Sequence, residues 1–170
     1  MVRAKIVEAL ARRRPMFRIS TKGRYGARLM LNLALHYQDG QKARSLKEVA
    51  EEEAISIRYL EQIIIPLRVH RLVKSLRGAG GGYALTRNPA AISLSQVLLA
   101  VEGNCCLTDC LEEGAQCPRM SSCAAYEIWK EATRIMKEYF DSVSLEDMVI
   151  IARKKSKRPV KAARRPSQSK

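Results

Sequence analysis

Aromatic residues are scarce in this 170-residue chain: two Phe, one Trp and six Tyr, 5% in all. A core must therefore come from Leu, Ile, Val, Ala and Met, which 46% hydrophobic content allows. The length suits one domain, or one domain with an added arm. Long apolar runs are missing too, and no window approaches the roughly 20 residues that span a bilayer. The first sixteen residues, "MVRAKIVEALARRRPM", lack the continuous apolar core of a secretory signal and carry Glu8 and the Arg12–Arg14 run. They read as a short basic extension, with Met16 directly ahead of the first domain-like segment. A cytoplasmic protein without membrane attachment is expected, in a compartment where stable disulfides are rare. Only two histidines occur, His36 and His70, both far upstream of every cysteine. No Cys–His pair with a third orienting residue is evident, so the chain is not expected to be an enzyme.

Acid is the other shortage. Seventeen Asp and Glu stand against 31 Lys and Arg, for a net charge of +14 and a pI near 9.9. An excess of that size favours a polyanionic partner, nucleic acid before an acidic membrane surface. The imbalance is greatest after Ile151, where "ARKKSKRPVKAARRPSQSK" carries nine positive charges and no acid. Low hydrophobicity, two prolines and like-charge repulsion predict a disordered basic tail over 152–170, either a solvated end or a phosphate-binding arm.

Between these ends the apolar spacing predicts helices. Tyr25, Leu29 and Leu33, with Met30 and Leu35 offset, give an amphipathic helix between Ser20 and Tyr37, closed by the turn Asp39-Gly40. Ser45 followed three residues later by Glu48 matches a capping box, so a helix starts at Leu46 with Leu46, Val49, Ala50 and Ala54 facing inward. Ser56 makes a second cap, and Ile57, Leu60, Ile63, Ile64 and Leu67 form the apolar stripe of the next helix. Pro66 within that stripe predicts a kink or local irregularity. Two capped helices joined tightly, the second longer and richer in Arg and Gln, form a helix-turn-helix pattern. Plain packing of a helix pair would give the same spacing.

The following stretch, "LVKSLRGAGGGYALTR", sharpens the pattern. Leu72–Leu76 reads as a strand, Tyr83–Thr86 as its return, and Gly78 to Gly82 as the turn between them. A hairpin directly after a helix-turn-helix is a wing, and glycines there let the backbone approach another surface closely. Arg77 sits at its tip, placed to enter a minor groove. A phosphate-cradling P-loop is disfavoured, because the Lys-Ser/Thr pair and the downstream helix are missing. Ser93 to Val101 then reads as a helix ended by Gly103. A long helix carries Ile128, Ala132, Ile135, Met136, Tyr139 and Phe140 on one face, suited to a dimer contact or to simple packing. Leu145, Met148, Val149 and Ile150 form a last short helix.

All five cysteines fall between Cys105 and Cys123. Cys110-x6-Cys117-x5-Cys123 is wider than zinc-knuckle pairs, and no second Cys or His pair completes a tetrahedron. Three thiols on one loop suit a larger, softer inorganic core, with Arg119 and Lys130 nearby to offset its charge. From spacing alone an iron–sulfur cluster, a zinc site, and uncoordinated or redox thiols all stay open.

The stretches "RISTKGRYGARLMLNLAL", "ISIRYLEQIIIPLRVHRLVKSLRGAGGGYAL" and "ISLSQVLLAVEG" closely resemble the iron–sulfur-cluster regulator (IscR) and cysteine-metabolism repressor (CymR) family of dimeric bacterial winged-helix transcription factors. The resemblance runs from about Phe17 to Val149, and "STKGRYG", "YLEQ" and "RGxGGGY" together are highly specific. It implies a mainly α fold with a small β-hairpin wing, a winged helix-turn-helix plus a long dimerisation helix. It also implies a regulator that binds a palindromic operator in double-stranded DNA as a homodimer. Residues 17–103 would be the DNA-binding domain, 104–124 the cysteine loop, and 125–151 the dimerisation helix and short terminal helix, flanked by basic ends at 1–16 and 152–170. The helix bearing Ser56, Arg58, Tyr59, Glu61 and Gln62 would enter the major groove, while Arg77, Gly80 and Gly81 of the wing would reach the minor groove. Such side chains suit base edges: Gln pairs with adenine, Arg with guanine, and Glu accepts from cytosine. Arg58 stands where relatives often have a small polar residue, which points to a different operator preference.

Cys110, Cys117 and Cys123 followed by Trp129 match the cluster-carrying branch, which implies a 2Fe–2S or 4Fe–4S iron–sulfur cluster. Two departures leave the fourth ligand open. Tyr126 stands where the best-known branch has a ligating His, and Arg24 where a nitric-oxide-sensing relative has an acid. The alternative within the family is a cluster-free repressor of cysteine or sulfur metabolism with redox-sensitive thiols.

Overall fold

The computed structural model describes residues 18–38, 42–78, 80–103 and 106–156. The basic N-terminal extension, the turn at Asp39-Gly40, Cys105 and the tail beyond Ser156 lie outside the described residues. In chain order the elements are α1 (Thr21–Leu35), α2 (Leu46–Glu53), α3 (Ile57–Val69), β1 (Val73–Leu76), β2 (Gly82–Leu85), α4 (Leu94–Glu102), α5 (Ala124–Ser142) and α6 (Leu145–Ser156). Single 3-10 turns stand at Pro89–Ala91, Asp109–Leu111 and Met120–Ser122.

Serine chemistry opens five of the helices, Ser144 doing so for α6 through Asp147. Ser20 accepts from the amides of Lys22 and Gly23, Ser56 from that of Tyr59, and Ser45 and Ser93 form full capping boxes with Glu48 and Gln96. Each such cap contributes about 1 kcal/mol by satisfying amides that have no partner inside the helix. The second box is one the sequence reading left unremarked. Ala54, expected to face inward, instead ends α2 as an exposed left-handed residue with φ 50° that swings the chain into α3. Pro66 does not interrupt α3, which continues to Val69. Proline only removes its own amide bond to Gln62, and His70 recovers the far end by donating to the Pro66 carbonyl.

The buried core gathers Leu29, Met30 and Leu33 of α1, Val49 of α2, Leu60, Ile63, Ile64 and Leu67 of α3, Leu85 of β2, and Val97 and Val101 of α4. No aromatic residue belongs to the fully buried set among the described residues; Tyr25, Tyr59 and Tyr83 pack at its margin. α6 returns to complete this core. Its Leu145 and Val149 are buried, and the Leu145 amide donates to the Ile92 carbonyl at 2.9 Å while that of Leu94 donates to Val143 at 2.8 Å. The helix also runs further than the apolar pattern suggested. Residues 152–156, assigned from composition to the disordered tail, form its end, with Arg153, Lys154 and Lys155 in the last turn. Cations at that end oppose the negative pole of the helix, which favours continuing it.

β1 and β2 pair antiparallel with Val73 opposite Leu85 and Leu76 opposite Gly82. A third stretch joins them: Arg44 bridges Tyr83, with bonds of 2.9 and 2.8 Å in the two directions. The approach is so close that a Cβ on Gly82, whose φ is +150°, would run into the Arg44 carbonyl. Only glycine fits there. Truncating Leu145 to Ala should destabilise the protein by about 2–5 kcal/mol, read as a lower denaturation midpoint at unchanged slope. A loss below about 1 kcal/mol would show that α6 is peripheral to the core.

Candidate nucleic-acid interface and cysteine loop

α3 is two-faced. Leu60, Ile63, Ile64 and Leu67 are buried, whereas Ile57, Arg58, Glu61, Gln62, Ile65, Arg68 and Val69 are exposed along one side. Of the residues singled out in the sequence, Ser56 caps this helix, and Arg58, Glu61 and Gln62 share its open face. Tyr59 stands apart from them. It is half-buried, and its ring meets that of Tyr25 edge-on at 5.5 Å and 84°, a geometry that favours aromatic pairs. The guanidinium groups of Arg24 and Arg28 lie 5.8 and 5.5 Å from the Tyr25 ring. Tyr59 thus holds the start of α3 against α1. In the wing, Arg77 and Gly80 are exposed, and the Gly81 amide closes the turn onto the Gly78 carbonyl at 2.9 Å.

A polar network, which the sequence reading missed, fixes the wing to the helix-turn-helix. Arg44, 9% exposed, donates to Glu48 at 3.2 Å and pairs with Glu52, both on α2. The buried Asn32 of α1 donates to Glu52 at 2.8 Å, and Arg28 pairs with Glu53 at 2.9 Å. The signal was present in outline, since Arg44, Glu48 and Glu52 follow at four-residue intervals. The Ser45 amide and then its hydroxyl, with Arg44 behind them, hold the Glu48 carboxyl below the ordinary glutamate value near 4.5. The Asn32 amide and then Arg44 do the same for Glu52.

The cysteine loop is less closely organised. Cys110 lies in the 3-10 turn 109–111, half-buried, with its Sγ 3.2 Å from Thr108 Oγ1. Cys117 is exposed, and Cys123 occupies the N-cap position of α5 without making a side-chain cap. Cys106 places its Sγ 3.3 Å from the Leu111 carbonyl. The thiols of Cys110, Cys117 and Cys123 are free. Among the described residues no three His, Cys, Asp or Glu side chains converge as metal ligands, so Cys110, Cys117 and Cys123 share a loop without meeting. The Leu107 amide donates to Thr133 Oγ1 at 3.3 Å, which ties the loop to α5. No described helix is long and apolar enough to cross a membrane.

Residues 19–150 match the Rrf2 family, described as iron-dependent transcriptional regulators. The chain belongs to the Rrf2 family. It is 40% identical over 131 residues to the HTH-type transcriptional regulator CymR of Bacillus subtilis, covering 77% of this chain and 88% of that protein. To the HTH-type transcriptional regulator IscR of Xenorhabdus nematophila it is 37% identical over 133 residues, 78% of this chain and 79% of the other. Among solved structures, "T. potens IscR" superposes with a TM-score of 0.68 at 34% identity, covering 84% of this chain and 93% of that one. A mainly helical winged fold and a role in transcription rather than catalysis follow directly.

The Rrf2 winged unit depends on carboxylates whose folded-state pKa values are lowered, so unfolding takes up protons at Glu48 and Glu52. Their contribution is complete above about pH 4.5 and is lost as the pH falls below it. A Glu52→Gln variant should therefore be less stable than wild type at pH 7, with the gap narrowing below pH 4.5. A gap that stays constant with pH in thermal melts would rule out the ionised pair as its source.

Proposed function

We propose that this Rrf2 regulator is a homodimer that reads a palindromic operator, and that an iron–sulfur cluster held by Cys110, Cys117 and Cys123 sets its affinity. One observation carries the DNA-reading part: the exposed Arg58, Glu61 and Gln62 sit on a single face of a capped helix whose wing is bonded to the same unit. In this reading α3 enters the major groove, Ser56 and Tyr59 set its entry angle, and Arg77 follows the wing to the minor groove. The backbone at Gly80 and Gly81 lets the wing approach the duplex closely. Residues 17–103 are then the reading domain, assisted by α6. The basic ends, 1–16 and the tail after Ser156, supply charge without sequence choice.

α5 supports the homodimer. None of its 19 residues is buried, and Ile128, Ile135 and Tyr139 are 63%, 54% and 64% exposed. Arg134 pairs with Glu131 and Glu138 on another side, leaving the apolar side for a second copy. Two recognition helices about 34 Å apart then match successive major grooves of a palindrome.

The donor set fits a cluster in kind. Three free thiols lie in one segment, and Cys123 begins a long helix whose first amides have no side-chain acceptor, a favourable position for negative charge. Arg119 and Lys130 add positive charge nearby. A bound cluster supplies a centre that responds to iron–sulfur status, oxidants or nitric oxide. Holding one group with thiols that stand apart requires the loop to reorder. Its bond to Thr133 and its junction with α5 pass that change to the dimer helix. The same separation of thiols, with the likeness to CymR, favours a second reading: a cluster-free repressor of cysteine or sulfur metabolism with redox-sensitive thiols.

Anaerobically purified protein should be coloured and contain iron and sulfide, and the Cys110→Ala/Cys117→Ala/Cys123→Ala variant should lose all three. Colourless, metal-free protein that still regulates its promoters would establish the cluster-free reading instead. For the DNA face, Gln62→Ala should reduce operator discrimination by about 1–3 kcal/mol while leaving affinity for random duplex unchanged. Equal losses on both duplexes in a titration would remove Gln62 from base reading.

A further inference from the structure

α3 is longer than the groove it is proposed to enter. At 1.5 Å per residue, Arg58 and Arg68 stand about 15 Å apart along the axis, whereas the major groove is about 12 Å wide. If the first two turns read bases, the last turn lies at the groove's rim, where the duplex presents phosphates. The surface found there suits that partner. A groove of about 560 Å³ lies between the end of α3 and β1, lined by Ile65, Arg68, Val69, Val73, Lys74 and Ser75.

Two cations from different elements converge on it, and no acid lines it. Neither Arg68 nor Lys74 enters an ion pair among the described residues, although Arg28, Arg44 and Arg134 all do. Lys74 faces Ala84 across the hairpin, so the opposite strand supplies no carboxylate either. Arg68 shares the exposed side of α3 with Arg58, Glu61 and Gln62. The apolar flank is unusually open, with Ile65 60% and Val69 74% exposed. Its low polarity strengthens the attraction of nearby cations for an anion.

The geometry points to a phosphate clamp: Arg68 and Lys74, with the Ser75 hydroxyl, grip backbone phosphates at the rim of the major groove that α3 enters. This rests on the assignment of α3 as the reading helix. The clamp supplies affinity and register but no sequence preference, because phosphates are alike at every base pair. It separates two tasks along one helix, with base reading in its first turns and anchoring in its last.

The test uses the full-length protein, an operator selected from random duplexes, a random duplex of equal length, and 50–200 mM salt. Arg68→Gln and Lys74→Gln should each weaken binding by the same factor on both duplexes. Each should also reduce the slope of log affinity against log salt by about 0.9, and the double variant by about twice that. Arg68→Lys should retain the slope. An unchanged slope, a loss confined to the operator, or a slope lost in Arg68→Lys as well would overturn the clamp. Thermal melts matching wild type keep folding out of the comparison, since both side chains are exposed; a variant that melts early is replaced by Arg68→Met or Lys74→Met and judged by the same slope. Gln62→Ala is run in parallel. If it leaves operator preference intact, base reading by α3 fails, while the clamp is decided by its own slopes.

Discussion

Arg44 lies between the two parts that a winged helix-turn-helix must hold in fixed relation. Its backbone exchanges hydrogen bonds with Tyr83 of the wing, and its side chain reaches Glu48 and Glu52 on α2. At 9% exposure the guanidinium has given up most of its water. Removing one partner therefore costs more than the net worth of the pair, because a desolvated charge is left behind. Across the unit, the edge contact of Tyr25 and Tyr59 fixes α3 to α1. Wing, α1, α2 and α3 thus present one surface, and the reading residues keep their relative positions without help from DNA.

That rigidity gives meaning to the charge excess. The bare value of +14 implies a polyanion but not a face. The fold sorts the cations. Arg28, Arg44 and Arg134 are committed to carboxylates, and Arg87 donates to the Ala91 carbonyl and to Gln96. Arg58, Arg68, Lys74 and Arg77 enter no ion pair among the described residues and lie on α3 or along the wing's first arm. A surface made only of cations would bind any duplex. Glu61 and Gln62, exposed among them, add the hydrogen-bond pattern that discrimination needs.

The parts legible in the sequence are those with local causes. Ser45 with Glu48, Ser56 before an apolar stripe, and a glycine run between two β-prone stretches each announce an element within a few residues. The bridge between Arg44 and Tyr83 has no such signature, since nothing around Arg44 marks it as a strand and the pairing exists only once the chain has closed. The contact of the Tyr59 ring has no local signature either, because its partner Tyr25 lies a whole helix earlier. Pro66, where a local rule predicts a kink or irregularity, lies inside a helix that runs on to Val69, because burial of Ile63, Ile64 and Leu67 outweighs one missing amide bond. The thiols show the remaining limit: sequence places them in one loop, but whether they meet depends on what they hold.

Cluster control, as proposed, requires the cysteine loop to be felt at the reading unit, and the packing of α4 provides a stiff route. Cys123 begins α5, α5 packs on α4, and α4 lies against α1 so closely that a Cβ at Gly26 would sit 3.1 Å from Val101. Gly23 is approached in the same way by Glu102. Glycines at these two points of α1 leave no side chain to yield when α4 shifts, so displacement passes on instead of being absorbed. Glu102 Oε1 is buried there with no hydrogen-bond partner among the described residues. This junction between α1 and α4 is tightly packed yet polar. It lies just before the loop that carries every thiol, and it touches the helix that Tyr25 joins to the reading helix. Coupling between the two sites therefore needs no long chain of side chains, only a two-position contact between α4 and α1.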